Sequence, residues 1–312
     1  MLMNFATRDD SRLKQLLQQF CQQEVLPNSF YDSARAWFLP LADSIAQRQK
    51  LNARPLLIGL NGSQGSGKST LAALLSRVLS KAYDLRTAVV SIDDFYRTRA
   101  ERQHLGGQVH PLLATRGVPG THDVSLMQRT LTALLMGDGE VRLPRFDKSQ
   151  DDRMEVSHWH RFTAPADVVI LEGWCVGITP QAESALVAPI NRLEAKEDVD
   201  GRWRRYVNTI LAQEYGPVFD RLDVLYMLRA PSFNCVYQWR LEQERRLAQR
   251  LDVNIGDRHL MTAADIQRFI QHFERLTEHA LATVTSQSDL VFQLDEMRDI
   301  TELTGPLSKR MR

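Results

Sequence analysis

Gly62-Ser63-Gln64-Gly65-Ser66-Gly67-Lys68-Ser69 reads G-x-x-x-x-G-K-S, the spacing of a phosphate-binding loop. Its flanks decide the fold class. Leu56-Leu57-Ile58-Gly59-Leu60, just before it, is an apolar run of the kind that forms a buried parallel strand. Just after it, Leu71, Leu74, Leu75, Val78 and Leu79 recur at i, i+3, i+4, i+7 and i+8, one face of a helix. In a strand–turn–helix unit, glycines let the backbone curl round an anion without Cβ clashes, and the loop amides and helix N-terminus face it. Gly62, Ser63, Gln64, Gly65, Ser66, Gly67, Lys68, Ser69 and the next residue, Thr70, are therefore the expected nucleotide-binding set. Lys68 is expected to reach the β- and γ-phosphates and the Ser69 hydroxyl to ligate Mg²⁺. ATP and Mg²⁺ are the cofactors this implies. A plain Gly/Ser turn before a core helix gives no reason for a lysine there.

Working outward, the 312 residues suffice for one large α/β domain or two small ones, and 43% apolar content supports a proper core. A net charge of +1 creates no global field toward nucleic acid or membrane. Cys21, Cys175 and Cys235 are far apart with no metal spacing, which points to a reducing, cytoplasmic setting. Residues 1–12 mix charges without an apolar signal core, and no apolar run approaches a membrane span.

Residues 10–50 read as helices, an N-terminal extension expected to pack on the sheet. Beyond β-forming residues 56–60, buried-strand candidates are 88–92, 168–171, 224–228 and 290–294. Helical patterns separate them: Val124–Met136 with Asp123 as N-cap and Gly137 as stop, then 203–214 and 232–249. A long helix follows, with Thr262 and Asp265 in capping-box spacing. The alternation predicts an α/β, doubly wound, mainly parallel five-stranded sheet. The expected division is a helical extension over 1–50 and a nucleotide-binding domain over 51–312. Segments 105–123 and 143–160 lack periodicity and follow strand ends, where ligands bind in such sheets.

Residues 168–173, Val-Val-Ile-Leu-Glu-Gly, form an apolar strand ending in an acid. Glu172 is placed to bind Mg²⁺ directly or through water. Ser91-Ile92-Asp93-Asp94-Phe95-Tyr96 ends another strand. Neighbouring side chains of an extended chain point opposite ways, so one carboxylate faces the phosphates. Asp93 is the expected base for an acceptor hydroxyl; Asp94 either joins the metal ligands or caps the next turn. Lys68, Asp93 and Glu172 are the expected catalytic residues.

Together, GSQGSGKST, SIDDFY and VVILEGW resemble the uridine kinase, phosphoribulokinase and pantothenate kinase group. The resemblance implies the P-loop kinase fold with a helical lid, a base at Asp93 and a metal acid at Glu172. Arg116-Gly-Val-Pro-Gly-Thr-His-Asp123, Pro144-Arg-Phe-Asp-Lys-Ser149 and Tyr237-Gln-Trp-Arg-Leu-Glu-Gln-Glu244 are similar to the R-G-x-P-G-T-H-D, P-x-x-D-K-S and Y-x-W-R-x-x-x-E stretches of D-glycerate 3-kinases. The likeness runs from about Leu56 to Leu294. It departs at Gln150-Asp151-Asp152-Arg153, where that family carries G-x-G-D-R, and it does not extend to 181–200.

An anionic hydroxy acid needs a guanidinium for its carboxylate, because a bidentate fork matches its shape. Arg116 and Arg145 are the candidates, with ATP phosphates or acidic loop neighbours as their other possible partners. Asp93, Tyr96, Arg116, His122, Arg145, Asp147 and Lys148 form the expected acceptor set, with Asp147 able to hold hydroxyls. Arg240 matches the family pattern for a lid arginine over the phosphates. Arg245 and Arg246 on the same helix fit either that role or a solvated face. Arg229, after a strand, is an expected adenine contact. His158-Trp159-His160 lacks an acid or cysteine partner for a metal and reads as a loop packed round its tryptophan. The expected activity is phosphoryl transfer to a small molecule, first D-glycerate; uridine, pantothenate or another sugar acid are the rival acceptors. A partner-driven ATPase is the rival class.

Overall fold

Leu56–Gly62 is buried along its whole length, as a strand covered on both faces must be. The computed structural model describes residues 10–52, 54–251 and 261–310. Most of the stretch read for a signal core, and the Arg246 side chain, lie outside the described residues. In chain order, helices α1 (Asp10–Gln23), α2 (Asn28–Ser33) and α3 (Leu39–Leu51) precede strand β1 (Leu56–Gly62). Then come α4 (Lys68–Ala82), β2 (Thr87–Ser91), α5 (Arg99–Gln108) and α6 (Val124–Met136). Short strands β3 (Glu140–Leu143), β4 (Phe146–Asp147), β5 (Asp152–Arg153) and β6 (His160–Thr163) lead to β7 (Val168–Gly173). The rest is α7 (Arg192–Glu197), α8 (Arg202–Ile210), α9 (Gly216–Phe219), β8 (Val224–Arg229), α10 (Phe233–Leu251), α11 (Ala263–Gln287), β9 (Leu290–Leu294) and β10 (Ile300–Thr304).

The main sheet has six strands in the order β10-β9-β8-β1-β7-β2. The five strands expected from sequence are its five parallel strands. The expected count is corrected by β10, which pairs antiparallel with β9 at the edge. Only Leu303 of β10 is buried, so it lacks the continuous apolar run that marks the inner strands.

Alternation along the strands sorts the core into two layers. On one face Leu56, Ile58, Leu60, Ile170, Tyr226 and Phe292 meet α4 and the N-terminal helices through Leu75, Leu79, Leu17, Phe38 and Ile45. On the other, Leu57, Val169, Leu171, Met227 and Val291 meet Met127, Leu131, Trp203, Phe273 and Leu276 of α6, α8 and α11. The N-terminal helices thus share a core with the sheet. Their polar edges are tied down too: Arg48 donates to Asp223 O at 3.1 Å and Tyr83 OH to Asp43 at 3.1 Å.

Local signals hold where they are short-range. Asp123 caps α6 by accepting from Leu126 N, and Thr262 and Asp265 form a reciprocal capping box on α11. Helix α5 was not expected, since its sequence is polar and contains Gly106 and Gly107; a capping box between Thr98 and Glu101 starts it.

Candidate active site

Register brings the site together. Parallel pairing sets Leu60 beside Glu172, and Glu172 beside Ser91. The carboxyl ends of β1, β7 and β2 therefore deliver the glycine-rich loop, Glu172 and Asp93 to one edge of the sheet, the edge where ligands bind in doubly wound folds. Gly65 and Gly67 adopt φ of 78° and 91°, which an L side chain rarely tolerates. Gly67 is the N-cap of α4, so Lys68, Ser69 and Thr70 make up its first turn. The helix N-terminus carries partial positive charge toward the loop.

Ser69 Oγ donates to Glu172 Oε1 at 2.9 Å. Two of the three residues expected at a metal thus meet. Glu172 is 4% exposed, and its Oε2 has no hydrogen-bond partner; nor do the buried Ser63 Oγ, Ser66 Oγ and Gln64 Oε1. Buried polar atoms left unpaired are unfavourable by about 1–3 kcal/mol each, and their concentration around one loop fits a site shaped for a polar ligand. No group of three or more His, Cys, Asp or Glu among the described residues forms a metal cage. A Mg²⁺ held by Ser69 and Glu172 would take its remaining ligands from phosphate oxygens and water, the usual arrangement for this ion.

Asp93 lies on the 3₁₀ turn after β2. Its Oδ2 accepts from Lys148 Nζ at 2.7 Å and its Oδ1 from Tyr96 OH at 2.9 Å. Burial pushes its pKa up, but the charges of Lys148 and Lys68 outweigh that and hold it below the ordinary carboxylate range. Asp93 raises the Lys148 pKa in turn. Tyr96 stacks on His122, ring centroids 4.4 Å apart. His122 is fully buried, and its Nδ1 is 2.7 Å from Tyr215 OH. Burial lowers its pKa to about 4 despite the pull of Asp93, so at neutral pH it is an uncharged wall behind Tyr96.

In the acceptor-side loops the expected residues hold partners within the protein. Arg116 Nη1 pairs with Asp151, and its guanidinium lies 5.6 Å over the Phe146 ring. It brackets two loops, and its partner comes from the segment where the family pattern lapses. Asp94 accepts from Phe146 N at 3.1 Å and faces Arg145 at 3.5 Å. It therefore anchors β4. Asp147 accepts from Ser149 N, Ser149 Oγ and Gln150 N, which closes its own turn. Of the cations expected at the acceptor, Lys148 is the one that touches Asp93.

Arg240 is held on its own helix by Glu244 at 2.6 Å, and Glu244 also accepts from Met261 N at 2.9 Å. Arg229 donates to Leu281 O, Thr285 Oγ1 and Gln293 Oε1. These bonds brace β8 against α11 and β9. Trp159 donates to Met154 O at 2.8 Å, a packed loop as read.

Sequence reasoning missed Arg102, Tyr215 and Arg298. Arg102 is 1% exposed and donates to Arg97 O, Ala114 O and Asp151 O, pinning both acceptor loops to α5. No local signal marks it, because an arginine on a polar helix reads as solvated. All three cysteines are buried and unpaired. Among the described residues, no helix is long and apolar enough to cross a membrane.

A model of the phosphoribulokinase / uridine kinase family matches residues 57–182. An uncharacterized kinase of Schizosaccharomyces pombe, mug58, is 34% identical over 254 residues, covering 79% of this chain and 88% of its own length. The chloroplastic D-glycerate 3-kinase of Arabidopsis thaliana is 31% identical over 259 residues, 78% of this chain and 54% of that enzyme. The solved D-glycerate 3-kinase of Cryptococcus neoformans superposes with a TM-score of 0.67 at 26% identity, covering 84% of this chain and 96% of that one.

Proposed function

Because this chain belongs to the phosphoribulokinase / uridine kinase family of P-loop kinases, we propose that it transfers the γ-phosphoryl group of ATP, with Mg²⁺, to a hydroxyl of D-glycerate, giving 3-phosphoglycerate. The observation that carries the reading is Lys148 on Asp93 at 2.7 Å: a cation brought by the acceptor-side loop to the expected base, beside the phosphate loop. The likeness to two D-glycerate 3-kinases supports the acceptor.

The roles follow from the chemistry. The loop amides and Lys68 bind the β- and γ-phosphates and offset the charge that spreads over the equatorial oxygens during transfer. Ser69 and Glu172 would hold Mg²⁺, which supplies further neutralisation at the phosphates when bound. Asp93, kept ionised by Lys148 and Lys68, accepts a hydrogen bond from the acceptor hydroxyl and orients its oxygen toward phosphorus. As the new oxygen–phosphorus bond forms and ADP leaves, Asp93 takes the proton. Lys148 sits close enough to hand its charge from Asp93 to an incoming carboxylate, and Arg145, half-exposed beside it, offers a guanidinium. Arg240 on α10 is the lid cation in this reading, exchanging Glu244 for phosphate oxygens. The site is built for a small-molecule substrate and calls for neither nucleic acid nor membrane.

An acceptor screen by coupled ADP release tests it, using D-glycerate, L-glycerate, uridine and pantothenate. D-glycerate-dependent ADP release is the expected result. Turnover with uridine or pantothenate while glycerate is ignored would overturn the acceptor. ADP release independent of every acceptor would overturn the small-molecule kinase reading.

A further inference from the structure

Arg298 occupies the turn between β9 and β10 with a left-handed backbone, φ 72°, a conformation long side chains rarely adopt. The turn is built to hold it. Met297 N and Asp299 N donate to Asp295 Oδ1 at 2.9 and 2.8 Å, and Arg298 N donates to Asp295 O at 3.1 Å. Such an outlier is retained where its side chain has a task.

The side chain reaches the phosphate loop from a position far along the chain. Arg298 Nε donates to Gly65 O at 2.8 Å. Its Nη2 pairs with Glu242 of α10, and its guanidinium lies 5.2 Å over the Trp239 ring. Trp239 Nε1 donates to Glu296 O at 2.8 Å, which closes the bracket on the same turn. Trp239 also abuts the loop: a Cβ on Gly65 would stand 2.6 Å from Trp239 Cβ.

In a trans peptide the C=O and N–H point in opposite directions. With Gly65 O drawn out to Arg298, the N–H of Ser66 faces into the loop, where it meets Ser63 O at 3.2 Å. A flipped peptide would aim a carbonyl oxygen at an anion. We propose that Arg298 is a positioning residue for the nucleotide site: by holding Gly65 O it fixes the Gly65–Ser66 peptide in the orientation in which Ser66 N closes the loop's turn onto Ser63 O, and it ties the loop to α10. This rests on the ATP-dependent reading above.

Arg298→Gly is the informative variant. Glycine adopts positive φ freely, so the turn keeps its conformation and only the guanidinium is lost. ATP affinity is read by calorimetry, alongside KM for ATP, KM for the acceptor and Tm. The expected result is an ATP Kd and KM raised roughly 10-fold, the scale of a lost charged hydrogen bond, with acceptor KM and Tm near parent values. Arg298→Lys should recover part of the loss, since an ammonium reaches Gly65 O or Glu242 but cannot fork to both. A lower Tm with both KM values unchanged would make Arg298 a plain brace and overturn the proposal. An unchanged ATP Kd in a parent and variant that both bind would overturn it as well. A parent that binds no ATP would sink the nucleotide reading itself, and Arg298's role with it.

Discussion

The phosphate loop and the acceptor-side loops converge on Asp93, yet they are made of different materials. The loop is backbone: glycines at positive φ, amides and the first turn of α4, contiguous from Gly62 to Thr70. The acceptor side is side-chain charge: Lys148 on Asp93, Arg145 on Asp94, Arg116 on Asp151 and Arg153 on Asp123. Backbone recognition depends little on the side chains at Ser63, Gln64 and Ser66, while Gly65 and Gly67 are needed for their positive φ. Charge recognition depends on which ion pair each arginine keeps and which it gives up to a ligand. One region therefore states a reaction class, and the other states an acceptor only through its partners.

The hardest test of that contrast is Lys68→Ala. Lys68 is the one charged side chain the backbone loop needs, so turnover should fall about 10³-fold or more. Tm should barely move, because Lys68 opens a helix without filling the core. Stopped-time phosphoryl transfer and a melting curve check both; parent-like turnover would break the assignment of the loop.

Asp93→Asn probes the point where the two regions meet. Turnover should drop roughly 10²–10⁴-fold, the range for a positioned general base. ATP affinity should hold, since the amide is nearly isosteric. Collapse of ATP binding with turnover intact at saturation would move Asp93 to the donor side.

Arg116→Ala and Arg145→Ala address the charge region alone. Each removes a guanidinium, and a lost charged hydrogen bond is worth about 1.5–3 kcal/mol, or roughly 10- to 150-fold in acceptor KM. ATP KM should change far less. Asp151→Asn sharpens the case for Arg116: if that arginine works mainly by bracketing the loops, the two variants will show matching acceptor defects.

Lys148→Met should raise acceptor KM, and at saturating acceptor it should produce the smallest change in turnover at neutral pH and a visible one in acid. The folded Asp93 pKa is depressed by Lys148 and Lys68 against burial. Removing Lys148 raises it, so more Asp93 is protonated at any given acidic pH. The acid limb of the pH–turnover curve should shift toward higher pH. An unshifted limb would show that Lys148 does not control the base.

Much of this was legible in order along the chain. The β1–loop–α4 unit, the other four parallel strands and the caps at Asp123 and Thr262 are local, with partners within a few positions. Steric rules on glycine, apolar periodicity and cap chemistry act over that range, so the amino-acid order alone determined the fold class, the nucleotide site and the base and acid at Asp93 and Glu172 as candidates. Tertiary structure decided what distance decides. Strand β10 is a mostly exposed edge, and only pairing with β9 makes it a strand. Arg229 turned to α11, Asp94 to β4 and Arg102 inward because their partners lie 52 positions away for Arg229 on Leu281 and for Asp94 on Phe146, and 49 for Arg102 on Asp151. Arg298 finds Gly65 across 233 positions. A charged side chain carries no mark of its partner, and the low-dielectric interior that makes the choice exists only once the chain has folded.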